Sequence, residues 1–340
     1  MRRVFALCMA LLLLAGCAPA PAQAQPTAER TFFAMDTVMN LRIYGGGDET
    51  ALDEAQARVK EMEGLWSVTD PDSEIYALNH TGSLMRMSAE TGDLLETALG
   101  MCERTNGALD ITTYPVLRAW GFTTGGYRVP SGEEIAELLP LVDYTQVRQS
   151  MGDAYLPEGM EIDLGSVAKG YTGDALAALL KQDGVTSALL DLGGNIQTIG
   201  AKPDGSPWRV AIRDPEGEGN LGVVEVIGQA VVTSGGYERY FEEDDVRYWH
   251  ILDPKTGAPA RSGLSSVTVV GETGTVCDAL STALFVMGPG DALDFWRQHR
   301  DEWRFELILV EEDGSVTVTA GLEDSFTLSR TDRALTVAQS

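Results

Sequence analysis

Two hydrophobic periods take turns along this chain, and their order is what most restricts its fold. Between Thr50 and Trp66 the apolar residues Leu52, Ala55, Val59, Met62 and Trp66 keep helical spacing, whereas Val38–Ile43 alternates as a strand does. A second helix is predicted from Ser88 to the Asn106-Gly107 stop. A short acidic one follows Ser131, where Glu134 completes a capping box, and ends before Pro140. Another is predicted from about Ser166 to Gln182, with strands at Ser187–Leu192, Trp208–Arg213, Gly222–Val226, Ala230–Thr233 and Ser266–Val270. The spacing then gives a helix over Val276–Met287, closed by Gly288-Pro289-Gly290, and a short helix over Asp291–His299. Arg304–Val310 and Ser315–Thr319 read as a terminal hairpin. Helices and strands mix without a βαβ rhythm, which predicts an α+β fold with mixed sheets and packed helices rather than a doubly wound sheet. No repeat or composition break divides residues 27–340, which are read as one large domain.

The chain has 340 residues, 44% of them hydrophobic, which suffices for a real core and excludes disorder. Lys and Arg number 25 against 51 Asp and Glu, a net charge of −26. A surface this acidic repels phosphate backbones, so nucleic acid is excluded as a partner. Any anionic ligand must be held locally, by a cation, a helix end or a metal.

The first residues have an export pattern. Met1-Arg2-Arg3 precedes an apolar run from Val4 to Ala15, too short to span a bilayer stably. Leu14-Ala15-Gly16-Cys17 resembles a bacterial lipobox, so residues 1–16 are expected to be a signal peptide and Cys17 the lipidated first mature residue. An ordinary signal cleaved near Ala20 or Ala24 is the alternative. Residues 17–26, rich in Ala, Pro and Gln, read as a flexible tether. The expected location is therefore outside the cytoplasm, on the membrane through a lipid anchor. Two cysteines remain in the domain, Cys102 and Cys277; they read as small buried helix residues, with a disulfide between them as the alternative.

Four constellations suit chemistry. Asp163-Leu164-Gly165-Ser166-Val167-Ala168-Lys169-Gly170 lies at a predicted turn into a helix, where free amides, the helix dipole and Lys169 suit an anion. The plainer reading is a helix start with small packing residues. Asp191-Leu192-Gly193-Gly194-Asn195 follows an apolar strand, and its glycines allow a close backbone approach or an ordinary turn. Thr233-Ser234-Gly235-Gly236 precedes His250-Ile251-Leu252-Asp253-Pro254-Lys255-Thr256-Gly257, in which His250 has a partly buried setting suited to a base or to a structural role. Asp278-Ala279-Leu280-Ser281-Thr282 puts Asp278 and Thr282 on one helix face. One carboxylate plus a hydroxyl suits Mg²⁺, which takes its remaining oxygens from phosphate and water; an acid complementing the helix dipole is the alternative. Ser166-Val167-Ala168-Lys169 and Lys255-Thr256-Gly257 also match two marks of penicillin-recognising serine enzymes. The third mark is missing between them, and Asp253-Pro254 sets the Lys-Thr-Gly in a turn instead of a strand.

In this order the constellations resemble the ApbE family of FAD:protein FMN transferases, over about residues 31–320. Ala34-Met35-Asp36-Thr37, Pro71-Asp72-Ser73-Glu74-Ile75 with Leu78-Asn79, and Asp110-Ile111-Thr112 extend the match. The resemblance implies one ApbE-like catalytic domain that moves FMN from FAD to a Thr or Ser hydroxyl of a target protein and releases AMP. It implies Mg²⁺ held by Asp278, Thr282 and a backbone oxygen at Ser166, with Ser281 assisting. Met35, Leu109, Asp110, Ile111, Asp163, Lys169 and Leu252 occupy FAD-binding positions, and His250 that of the base. The implied acceptors are a redox-pump subunit or an extracytoplasmic electron carrier. Asp36 stands where the family commonly has Gly, and Thr69 where it often has Tyr, so flavin packing is expected to differ. Asp253–Ala258 partly mimics the family's acceptor pattern, but Pro259 breaks it. An FAD pyrophosphatase and a non-catalytic flavin-binding lipoprotein are the competing functions.

Overall fold

A computed structural model describes residues 25–339; the expected signal, Cys17 and most of the tether lie outside the described residues. The described chain opens with an antiparallel hairpin, β1 (Ala28–Ala34) and β2 (Thr37–Gly45), followed by α1 (Glu49–Trp66). Asp48 caps α1, and its buried residues Leu52, Ala55, Val59, Met62 and Trp66 are those the spacing selected. Next come α2 (Glu74–Thr81), β3 (Ser83–Leu84) and α3 (Ala89–Arg104), the last capped by Ser88. Two short helices, α4 (Tyr114–Ala119) and α5 (Gly132–Leu138), precede the small strands β4 (Arg148–Ser150) and β5 (Asp153–Tyr155). Ser131 accepts from the Glu134 amide at 3.1 Å, so the serine half of the predicted box is present.

The central stretch contains α6 (Gly165–Gln182), β6 (Ser187–Leu192), β7 (Asn195–Ile199), β8 (Trp208–Arg213), β9 (Asn220–Val226) and β10 (Ala230–Gly235). A hairpin of β11 (Tyr240–Glu243) and β12 (Val246–Trp249) leads to β13 (Leu264–Gly271). The chain continues through α7 (Gly274–Met287), α8 (Pro289–Trp303), β14 (Phe305–Glu311) and β15 (Val316–Thr319). It closes with β16 (Phe326–Leu328) and β17 (Leu335–Ala338). The hairpin predicted to be terminal is therefore internal. β15 gains a parallel neighbour in β17, because the tail folds back onto the sheet. Gly288 ends α7 at φ 85°, and Pro289, with its fixed φ, starts α8 directly after it.

Nine strands form the main sheet, in the order β1-β2-β6-β7-β10-β13-β14-β15-β17. Helices α1, α6, α7 and α8 cover one face. A three-stranded sheet, β16-β9-β8, packs Trp208, Val210 and Ile212 onto part of the other, against Val231, Val270 and Ile308. Central β13 is buried almost throughout, whereas β8 alternates buried and exposed, as a strand with one solvated face must. The fold is thus α+β, as expected. Cys102 and Cys277 are both buried and free, so the disulfide alternative does not hold.

Candidate functional site

Loop tips from distant parts of the sequence converge on one cavity of about 880 Å³. The β1–β2 hairpin supplies Met35 and Asp36, both at positive φ (48° and 59°), as a tight two-residue turn demands. Aspartate tolerates this conformation better than most side chains, so Asp36 can stand where the family commonly has Gly. The Met35 amide donates to Glu63 Oε1 at 2.6 Å, tying the tip to α1. Thr37 fills the space beside Gly193, where a Cβ would lie 2.1 Å from the threonine oxygen.

Below this tip the chain enters α6 through Asp163, whose Oδ1 accepts from the Gly165 amide at 2.8 Å. Ser166 and Lys169 follow on the first turns, and both line the cavity. The Lys169 ammonium counters the charges of Asp163, Glu238 and Asp278 and disfavours protonation of His250. Asp278 and Thr282 face it from α7. The Asp278 side chain accepts from the Gly170 amide at 2.8 Å, and burial raises its carboxyl above the usual range. Thr282 Oγ1 lies 3.4 Å from Ser234 Oγ. Ser281 does not line the cavity; it is buried between α7 and β10, donating to the Asp278 carbonyl at 2.9 Å and meeting Ser234 Oγ at 2.8 Å.

Close helix contact makes this wall. A Cβ on Gly170 would lie 2.2 Å from the Gly274 carbonyl oxygen, so only glycine lets α6 and α7 approach so far. Asp174, one turn further along α6, accepts from the Gly274 and Thr275 amides at 2.7 and 2.8 Å and from the Thr275 hydroxyl at 2.6 Å. It fixes the start of α7, and hence where Asp278 sits. No sequence signal singled out Asp174, because its partners lie about a hundred residues away.

The donor set at this wall consists of oxygens only: the Asp278 carboxylate and the Ser166, Ser234 and Thr282 oxygens. That suits a hard cation such as Mg²⁺ and not a soft one. Among the described residues no group of three or more His, Cys, Asp or Glu converges as a metal site. Protein ligands alone therefore make only part of a coordination shell.

His250 lies in the bend directly after β12. Its amide and its Nδ1 both meet the Arg239 carbonyl, at 3.1 and 3.3 Å. A carbonyl only accepts, so Nδ1 carries the proton and Nε2 is left as the basic nitrogen. Burial, then Arg239 and Lys169, push the ring down to about 3, so it is neutral at pH 7.

Other expected residues play quieter parts. Leu109 and Asp110 line the cavity, but the Asp110 carboxylate is spent on Thr112 and on the Tyr144 amide. The Ile111 side chain is buried away from the cavity, while its carbonyl accepts from the Asp163 amide at 2.9 Å. Leu252 lines the cavity and bridges to Pro259. Lys255-Thr256-Gly257 lies in a turn in which the Asp253 carbonyl accepts from Thr256 and Gly257, so it is not the strand a penicillin-recognising site requires. Sequence reasoning missed Arg213, Tyr237, Glu238 and Arg239, all on the cavity wall. Only the Thr233-Ser234-Gly235-Gly236 motif just before the last three hinted at them. Thr69 lines the cavity beside Val68 and Trp66, so an indole stands near the position left without a tyrosine.

Known proteins place this architecture. The ApbE family model matches residues 35–305. An FAD:protein FMN transferase of Treponema pallidum is 33% identical over 319 residues, covering 87% of each chain. One from Salmonella typhimurium is 32% identical, covering 92% of this chain and 94% of its own. Among solved structures, the ApbE protein of Thermotoga maritima superposes with a TM-score of 0.80 at 34% identity, covering 85% of this chain and 95% of that one. The apo flavinyl transferase ApbE of Pseudomonas stutzeri gives 0.78 at 30% identity, covering 88% and 96%. With the family model spanning the whole cavity wall from Met35 to Thr282, and these relatives matching nearly end to end, the chain belongs to the ApbE family.

Proposed function

We propose that this protein transfers FMN from FAD to a Thr or Ser hydroxyl of a target protein and releases AMP. The observation that carries the reading is the meeting, in one cavity, of a neutral histidine with a lysine–carboxylate–hydroxyl wall. His250 Nε2 takes the proton of the acceptor hydroxyl. The hydroxyl oxygen bonds to the FMN phosphorus as the bond from that phosphorus to the AMP oxygen breaks. Lys169 and the start of α6 stabilise the negative charge of the diphosphate. Asp278, Thr282 and the Ser166 backbone oxygen are the residues that would hold Mg²⁺. When bound, the ion supplies charge neutralisation to a diphosphate inside a chain of net charge −26. Met35, Leu109, Asp163 and Leu252 border the space for the rest of FAD. The lipobox-like start, with Cys17 as the anchor, supports work at the outer face of the membrane, with a redox-pump subunit or an extracytoplasmic electron carrier as acceptor.

Incubation with FAD, Mg²⁺ and a library of short peptides, each with one Ser or Thr, tests the reading by mass spectrometry. The expected result is a set of peptides that gain FMN, with AMP formed in equal amount. FMN and AMP released without peptide modification would establish a pyrophosphatase instead, and intact FAD a binding protein. In the same assay Asp278→Ala is expected to abolish Mg²⁺-dependent AMP formation. Undiminished turnover in that variant would remove Asp278 from the metal site.

A further inference from the structure

We propose that the acceptor polypeptide docks by adding an extended segment to the free edge of β8, which delivers its hydroxyl residue into the cavity. The proposal rests on the transferase reading above.

Among the described residues β8 is the outermost strand of the sheet β16-β9-β8. Its open side can be worked out residue by residue. The Glu225 amide donates to the Ser325 carbonyl, and the Leu221 carbonyl accepts from the Ser329 amide. The odd-numbered residues of β9 thus point their backbone towards β16. The even ones, Gly222, Val224 and Val226, point towards β8, where they oppose Ile212, Val210 and Trp208. In an antiparallel pair such residues exchange both hydrogen bonds, and the residues between them turn outward. The backbones of Arg209 and Ala211 therefore face the open side, which is the arrangement a peptide strand requires.

A groove of about 300 Å³ runs along that side, over the outer face of β6 and β7, where Leu189, Asp191 and Ile196 form its floor. It is continuous with the cavity, since Gly194, Ala211 and Thr233 line both. A strand paired with β8 would consequently lead into the cavity that His250 and Lys169 line. The adjoining sheet surface is uncovered as well: Phe33 and Val38, paired across the β1–β2 hairpin, are 65% and 59% exposed. An apolar pair beside the mouth suits the body of a protein partner and has no use for FAD alone.

The test uses a peptide that the library experiment has shown to be modified, so a failure of the transferase reading is seen beforehand. Hydrogen exchange is followed in the wild-type protein with FAD, with and without that peptide. The expected result is slower exchange at the Arg209 and Ala211 amides when peptide is present. Unchanged exchange there, at saturating peptide, would overturn the proposal. Arg209→Pro removes one outward amide from an edge strand, where proline is tolerated. Loss of that bond is expected to raise the peptide KM roughly tenfold. FAD affinity, measured without peptide, should stay unchanged. A peptide KM equal to that of the wild type would also sink the idea.

Discussion

His250 gains its chemistry from a single carbonyl. Because Arg239 offers an acceptor to Nδ1, the basic nitrogen is Nε2, and burial beside two cations keeps the ring neutral. The sign of the linkage follows. The unfolded chain takes up a proton here near pH 6.5, whereas the folded one refuses it until about 3. This histidine therefore favours folding above 6.5 and loses that contribution as pH falls through the window down to 3. His250→Gln is expected to narrow the acid loss of stability, so urea midpoints of the variant should improve relative to wild type between pH 7 and 5. Replacement by Ala should lower transfer to peptide by roughly 10²–10⁴-fold, while FAD affinity changes little. Equal loss of both would make the residue structural. Residue types were legible at this scale: His250, Lys169, Asp278 and Thr282 all reach the cavity as the motifs led one to expect. Ile111 does not, because a short motif names a backbone position without saying which way its side chain turns.

At the scale of elements, the wall that faces the substrate is a helix–helix contact. Gly170 and Gly274 bring α6 and α7 together, and Asp174 clamps the first turn of α7. Gly170→Ala puts a methyl 2.2 Å from a carbonyl and 2.7 Å from Asp278 Cβ, so the helices must separate. The expected cost is about 1–3 kcal/mol in denaturant unfolding, together with weaker Mg²⁺ binding by titration calorimetry. A variant of unchanged stability and metal affinity would show that the contact is not a constraint. Helix and strand positions were largely readable from periodicity, since the apolar stripe of α1 and the run Ser187–Leu192 follow from burial of one face. The contact between α6 and α7 was not readable, as a glycine in a helix looks the same whether it meets solvent or a second backbone.

For the whole molecule, closure depends on the tail. Buried Asp214, at the end of β8, is held by Arg330 and Arg333, each at 2.7 Å, and this joins the last segment to the outer sheet. Asp214→Ala removes the carboxylate that both guanidinium groups share, leaving Arg330 on Asp332 and Arg333 on Glu216, and is expected to lower the denaturation midpoint. Unaltered unfolding would mean that the tail is held by its strand pairing alone. The net charge of −26 acts on the same scale, excluding polyanions from the surface at large while three cations, Lys169, Arg213 and Arg239, gather in one cavity.

Local sequence pattern was enough for the α+β class, the placing of most helices and strands, and most of the motif side chains that line the cavity. Those properties are set within a few residues, by periodicity, capping and side-chain type. Tertiary structure alone decided that Asp174 anchors the helix of Asp278, that Arg239 orients His250, and that β8 leaves an open edge running into the cavity. Each of these depends on contacts between segments far apart in the chain or on how strands are ordered in space, and local pattern has no record of either.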